Sequence, residues 1–119
     1  MKYMLLIHQG TTPTPLDPEA WATLSEAQQQ EIYAAYQSIN QTPGVTPGNG
    51  LQPPETATTV RVDGDRTITT DGPFVDTKEA LNGYLIYEAD DLDAAIALAA
   101  RIPAARMGGA VEIRPLVEY

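Results

Sequence analysis

The chain predicts an α+β domain in which two amphipathic helices pack on one face of a sheet, in the order β-α-β-β-α-β. Three observations carry this. The runs Tyr3–Ile7 and Leu81–Glu88 are apolar on both faces, as strands in the middle of a sheet are. Two stretches, opening at Ser25 and at Asp90-Asp91, place apolar residues at helical spacing behind capping residues. Between them, Asp63-Gly64 flanked by β-rich segments marks a hairpin.

The elements follow in order. In the first strand Tyr3, Leu5 and Ile7 share one face and Met4, Leu6 and His8 the other. Gly10 to Pro18 is a Thr/Pro-rich loop. Asp17-Pro18-Glu19 opens a short helical turn around Trp21 that breaks near Leu24. Ser25-Glu26-Ala27-Gln28 is a capping box, and Ile32, Tyr33, Tyr36 and Ile39 form the apolar stripe of a helix ending near Asn40. Residues 41–54, rich in Pro, Gly and Thr, read as a surface loop with at most a short extended piece near Val45. Ala57–Val62 and Thr67–Thr70 are the arms of the hairpin. Asp71-Gly72-Pro73-Phe74 breaks the second arm, and Thr77-Lys78-Glu79-Ala80 reads as one helical turn. After the strand Leu81–Glu88, Asp90-Asp91 caps a helix lined by Leu92, Ile96, Ala99 and Ala100. Pro103 follows it, Gly108-Gly109 turns the chain, and Ala110–Leu116 is the last strand.

This order is ferredoxin-like. Its two helices cover one face of the sheet, yet the first and third long strands are apolar on both. A second copy of the chain packed on the open face resolves the mismatch, so a homodimer is expected.

Composition narrows the function classes. At 119 residues and 43% apolar content the chain fits one domain spanning residues 1–119. A formal charge of -9 disfavours nucleic-acid backbones and anionic membrane surfaces as partners. The absence of cysteine removes disulfides, thiolate nucleophiles and Cys-based metal sites. The apolar run at the N-terminus is too short to span a bilayer and no small-residue cleavage site follows, so a cytoplasmic protein is expected.

The string Asp71-Gly72-Pro73-Phe74-Val75-Asp76-Thr77-Lys78-Glu79 is specific. It is joined by Met1-Lys2-Tyr3-Met4-Leu5-Leu6-Ile7, by Leu51-Gln52-Pro53-Pro54 and by Gly109-Ala110-Val111-Glu112-Ile113-Arg114-Pro115. Together, and in this order, they resemble the YCII-related family in its DGPF-domain branch, over essentially the whole chain. The resemblance implies a ferredoxin-like domain that pairs into a dimeric α+β barrel, and a function that is poorly defined. The wider family includes a dehydrochlorinase acting on a chlorinated hydroxyquinol, and genes of the DGPF branch often neighbour sigma-factor-like regulators. Much of the family has a His in the first helix, proposed to act with an Asp. Here the helix from Ser25 to Asn40 contains no His, so that role falls on no residue of this chain.

Several side chains could carry chemistry. Asp71-Gly72-Pro73-Phe74 reads as a turn, with Gly relieving strain, Pro fixing φ and Phe plugging the core. It reads equally as a pocket wall with Asp71 as acid, base or anchor. Histidine, the residue type that titrates nearest neutrality, occurs once, as His8; it is either a general base over the sheet or a half-buried residue hydrogen-bonded to a neighbour. Lys78 and Glu79 could supply a cation and a carboxylate base, or a solvated helical turn. Arg114, between residues of buried type, calls for an anionic partner, either a ligand or a carboxylate such as Asp71 or Glu79. No metal site and no cofactor are indicated, since the glycines match neither a phosphate loop nor a dinucleotide turn.

Two functions of different class fit. One is a cofactor-independent small-molecule enzyme or ligand binder, doing acid–base chemistry on a small polar or aromatic compound in a pocket over the sheet near the dimer interface. Its catalytic candidates are Asp71, His8 and Glu79, and its ligand-binding candidates Gly72, Pro73, Phe74, Lys78 and Arg114. The other is a non-catalytic regulatory or protein-interaction module associated with sigma-factor-type transcription control.

Overall fold

Strand β1 (Lys2–His8) runs through the middle of a four-stranded antiparallel sheet. The other members are β2 (Val45–Gly50), β5 (Leu81–Glu88) and β6 (Ala110–Pro115), in the spatial order β2-β5-β1-β6. The computed structural model describes residues 1–72 and 81–119. The first and third strands of this sheet are its central pair, paired in register from Lys2 against Glu88 to Ile7 against Gly83, and the layout is ferredoxin-like.

The side-chain alternation of β1 sorts the two faces. Tyr3, Leu5 and Ile7 are buried, whereas Met4, Leu6 and His8 are only half-buried. Leu5 pairs with Leu85 on one side and Ile113 on the other, so these three share the covered face. Among the described residues the helices are α1 (Pro18–Ala22), α2 (Glu26–Asn40), α3 (Leu92–Ala99) and α4 (Pro103–Arg106), and α2, α3 and α4 cover this face. Helix α2 packs beside β2, and α3 and α4 beside β6. Leu5, Ile39 and Ile102, at 0% exposure, form the centre of the core, with Ala95 and Leu98 of α3 against them. Burying a side chain of this size stabilises by about 1.5–3 kcal/mol.

The helix starts form as their sequences predict. Ser25 Oγ accepts from the Gln28 N–H at 3.1 Å, and the Ser25 N–H donates to Gln28 Oε1 at 2.8 Å, completing the capping box. Asp17 and Asp91 carboxylates accept from the Ala20 and Ala94 N–H groups. Each such cap is worth about 1 kcal/mol.

The segment 41–54 departs from the sequence expectation. Rather than a loop with a short extended piece, Val45–Gly50 is a strand of the main sheet, paired with β5. It tolerates Pro47 because it lies at the edge, and its register shifts between Pro47 and Gly50. Gly48 is required here by close approach, since a Cβ would lie 2.6 Å from the Tyr84 ring. The second strand of the ferredoxin-like order is therefore β2.

The hairpin, formed by β3 (Thr58–Asp63) and β4 (Arg66–Asp71), is a separate two-stranded sheet. Asp63 pairs with Arg66, so the two-residue loop is Gly64-Asp65, one position later than the dipeptide marked in the sequence. Gly64 takes φ 61°, which the first position of a type II′ turn requires. At its base the Gly72 N–H donates to the Ala57 carbonyl at 2.7 Å, and Thr59 Oγ1 donates to the Gly72 carbonyl at 2.8 Å. The helical turn expected at 77–80 lies outside the described residues.

Candidate functional site

The open face of the main sheet carries a polar cluster among apolar neighbours. Register places His8 beside Ala110, Leu6 beside both Tyr84 and Glu112, and Met4 beside both Ile86 and Arg114. Strand alternation then puts Met4, Leu6, His8, Tyr84, Ile86, Glu112 and Arg114 on one surface. No helix covers it among the described residues, and Met4, Leu6, Tyr84 and Ile86 are half-buried by their neighbours alone.

Glu112 is the hub of the cluster. His8 Nε2 lies 3.3 Å from Glu112 Oε1, while Arg114 Nε donates to Glu112 Oε2. The Arg114 hydrogen bond, and next the His8 one, hold the Glu112 carboxyl below the usual carboxylate range. An ionised carboxylate only accepts, so the bond to His8 requires the proton on Nε2. The carboxylate thereby sets the tautomer of the ring and would stabilise an imidazolium. This is the base–orienter pair that acid–base chemistry uses, here with a guanidinium beside it that can bind an anion.

Sequence reasoning placed His8 and Arg114 among the candidates but missed Glu112. Arg114 pairs with Glu112, a carboxylate not among the expected partners (a ligand anion, Asp71 or Glu79), because residues two apart on a strand share a face. Nor does Arg114 sit in a buried setting: its side chain is 70% exposed, against 24% for His8. Asp71 is exposed at the end of β4, in the other sheet. Gly72 follows it at φ 105°, with no described residue near where a Cβ would stand, and that φ lets the chain turn. Pro73, Phe74, Lys78 and Glu79 lie outside the described residues.

A second feature lies where β1 ends. A cavity of about 420 Å³ opens between the sheet, helices α1 and α2, and the loop from Thr12 to Leu16. Neither His8 nor Asp71 lines it. Tyr36 of α2 does, and burial raises its phenol above the ordinary value, keeping it a hydrogen-bond donor. Among the described residues, no group of His, Asp or Glu has the arrangement to hold a metal ion, and no helix is long and apolar enough to cross a membrane.

Comparison with known proteins agrees with the family resemblance of the sequence. The family model of the YCII-related domain matches residues 1–119. A relative in Rhizobium meliloti (strain 1021), itself an uncharacterized protein, is 39% identical over 70 residues, covering 58% of this chain. That match spans 56% of the relative's length. The chain belongs to the YCII-related family.

Proposed function

From that membership and from the cluster on the open sheet face, we propose that the protein is a small-molecule enzyme working by cofactor-independent acid–base chemistry. His8 takes a proton from the substrate, Glu112 orients the ring and stabilises its charged form, and Arg114 anchors an anionic group. The observation that carries the reading is the shared carboxylate, with His8 on one oxygen of Glu112 and Arg114 on the other. The cluster replaces the helix-borne His of the wider family with a His on the sheet. A second copy packed on the open face would exclude water from it, and the half-buried Met4, Leu6 and Ile86 support such packing. The string from Asp71 to Phe74 supports placement in the DGPF branch. Suitable reactions are elimination, dehalogenation or isomerisation of a small polar aromatic.

The test is a panel of phenols and phenolic acids, first by thermal shift. A ligand at a hundred times its Kd stabilises by about 2.7 kcal/mol. Binders are then incubated with the protein in D₂O and followed by NMR for exchange or elimination. Replacing His8 with Gln should slow turnover by about 10²–10⁴-fold, and Arg114→Gln should weaken binding of the acids more than of the neutral phenols. A panel that neither stabilises nor reacts, or hits that survive both substitutions unchanged, would refute the reading.

A further inference from the structure

The cavity at the end of β1 has a lining unlike the rest of the molecule. The chain has 16 acidic and 7 basic residues, yet among the described residues no Asp, Glu, Lys, Arg or His lines this cavity. Its walls are aliphatic and aromatic, with Ile7 and Leu85 on the sheet side, Ile32 and Tyr36 on α2 and Trp21 on α1. Its polar groups are amides and hydroxyls, chiefly Asn40, Asn49, Asn82 and Tyr36. Within the described residues the side chains of these four make no hydrogen bond to the protein. Asn82 and Tyr36 are half-buried, while Asn40 and Asn49 are exposed at the rim.

We infer that this cavity is a binding site, separate from the His8–Glu112–Arg114 cluster, for a neutral planar aromatic compound bearing an amide or lactam edge. Four points select that class. The volume suits a ligand of one or two rings, within the range of about 300–1,000 Å³ typical of small-molecule sites. A charged ligand would lose its hydration with no counter-charge in the lining, which penalises anions and cations alike. A carboxamide offers a donor and an acceptor side by side, so Asn82 can pair with a ligand group that does the same. The rings of Trp21 and Tyr36 supply flat surfaces and edges against which an aromatic ligand packs. One contact holds the site in shape: the Thr12 hydroxyl donates to the Met107 carbonyl at 3.2 Å, pinning the loop. The inference is independent of the acid–base reading, which uses other residues on the opposite face of β1.

An isosteric series tests it: 2-naphthamide, 2-naphthoate and 2-naphthylmethylammonium, titrated into ¹⁵N-labelled protein. Trp21 is the chain's single tryptophan, so its indole N–H gives one isolated resonance inside the site. The amide should shift that resonance and those of Asn82 and Gly83, and bind at least about tenfold tighter than either charged analogue, a difference of about 1.4 kcal/mol. Tyr36→Phe keeps the ring and removes only the hydroxyl; Asn82→Leu removes the carboxamide. Each should weaken the amide by about fivefold, the worth of one net hydrogen bond. Equal affinity for the naphthoate, no shift with any of the three at millimolar concentration, or unchanged affinity in both folded variants would overturn the inference. Loss of the acid–base activity in His8→Gln leaves this site untouched, so the two readings fail separately.

Discussion

The four-stranded sheet and the β3–β4 hairpin both alternate their side chains between two faces, but the central strands of the first are apolar on both faces while the hairpin is β-branched and polar, and the two differ in what lies against them. In β1 every second side chain is buried beneath α2, α3 and α4. In the hairpin the same alternation brings Val60 and Val62 to one face at 59% and 68% exposure. Alternation states which side chains share a face; a cover has to come from elsewhere in the chain, and among the described residues the helices pack on the larger sheet. A two-stranded hairpin is marginal on its own, and this one is anchored at its base through Ala57, Thr59 and Gly72.

The contrast breaks most sharply in the core. Leu5→Ala, at a position with 0% exposure in the central strand, should destabilise the fold by about 2–5 kcal/mol in urea denaturation. Val62→Ala in the hairpin should stay within about 0.5 kcal/mol. Comparable losses at both sites would mean that something covers the hairpin in solution.

A smaller effect is expected from removing the hairpin altogether. Because the Ala57 carbonyl and the Gly72 N–H are hydrogen-bonded, two glycines can replace residues 58–71 without moving the ends. Thermal melts followed by circular dichroism should show a loss of no more than about 1 kcal/mol, since no core residue leaves and the loop shortens. A collapse of the cooperative transition would show that the two sheets fold as one.

The smallest effect belongs to the open face of the large sheet. Glu112 has its carboxyl held low by Arg114 and then His8. A depressed folded-state pKa contributes stability above the unfolded carboxyl value, and that contribution fades as pH falls through the folded value. Melting temperatures of wild type and Glu112→Gln should therefore differ slightly at neutrality and converge in acid, with a shift kept small by solvent screening. A difference that persists at the acid end would locate the effect in packing rather than charge.

Much of this was legible in the sequence, for physical reasons that vary by segment. The strands Tyr3–Ile7 and Leu81–Glu88 announced themselves because a central strand needs apolar residues on both faces. Helix α2 was marked by a capping box that forms as written. Strand β2 stayed hidden because an edge strand can carry Pro47, Gly48 and Gly50 and still pair with β5. Helix α4, a single turn begun by Pro103, has too few residues to show a period. In the site, the period of two that placed Arg114 on the open face also put Glu112 beside it. Bringing His8 to the same carboxylate needed the antiparallel register of β1 and β6, which no local pattern encodes.

The two margins of the main sheet carry a consequence for how the molecule behaves in concentrated solution. Strand β2, at one margin, contains Pro47 and a break in register; strand β6, at the other, ends in Pro115. Proline has no N–H to offer, so the β2 margin presents no unbroken ladder for a foreign strand to join, and the ladder of β6 stops at Pro115. Fibril growth by strand addition is hindered along β2 and finds only a short ladder at β6.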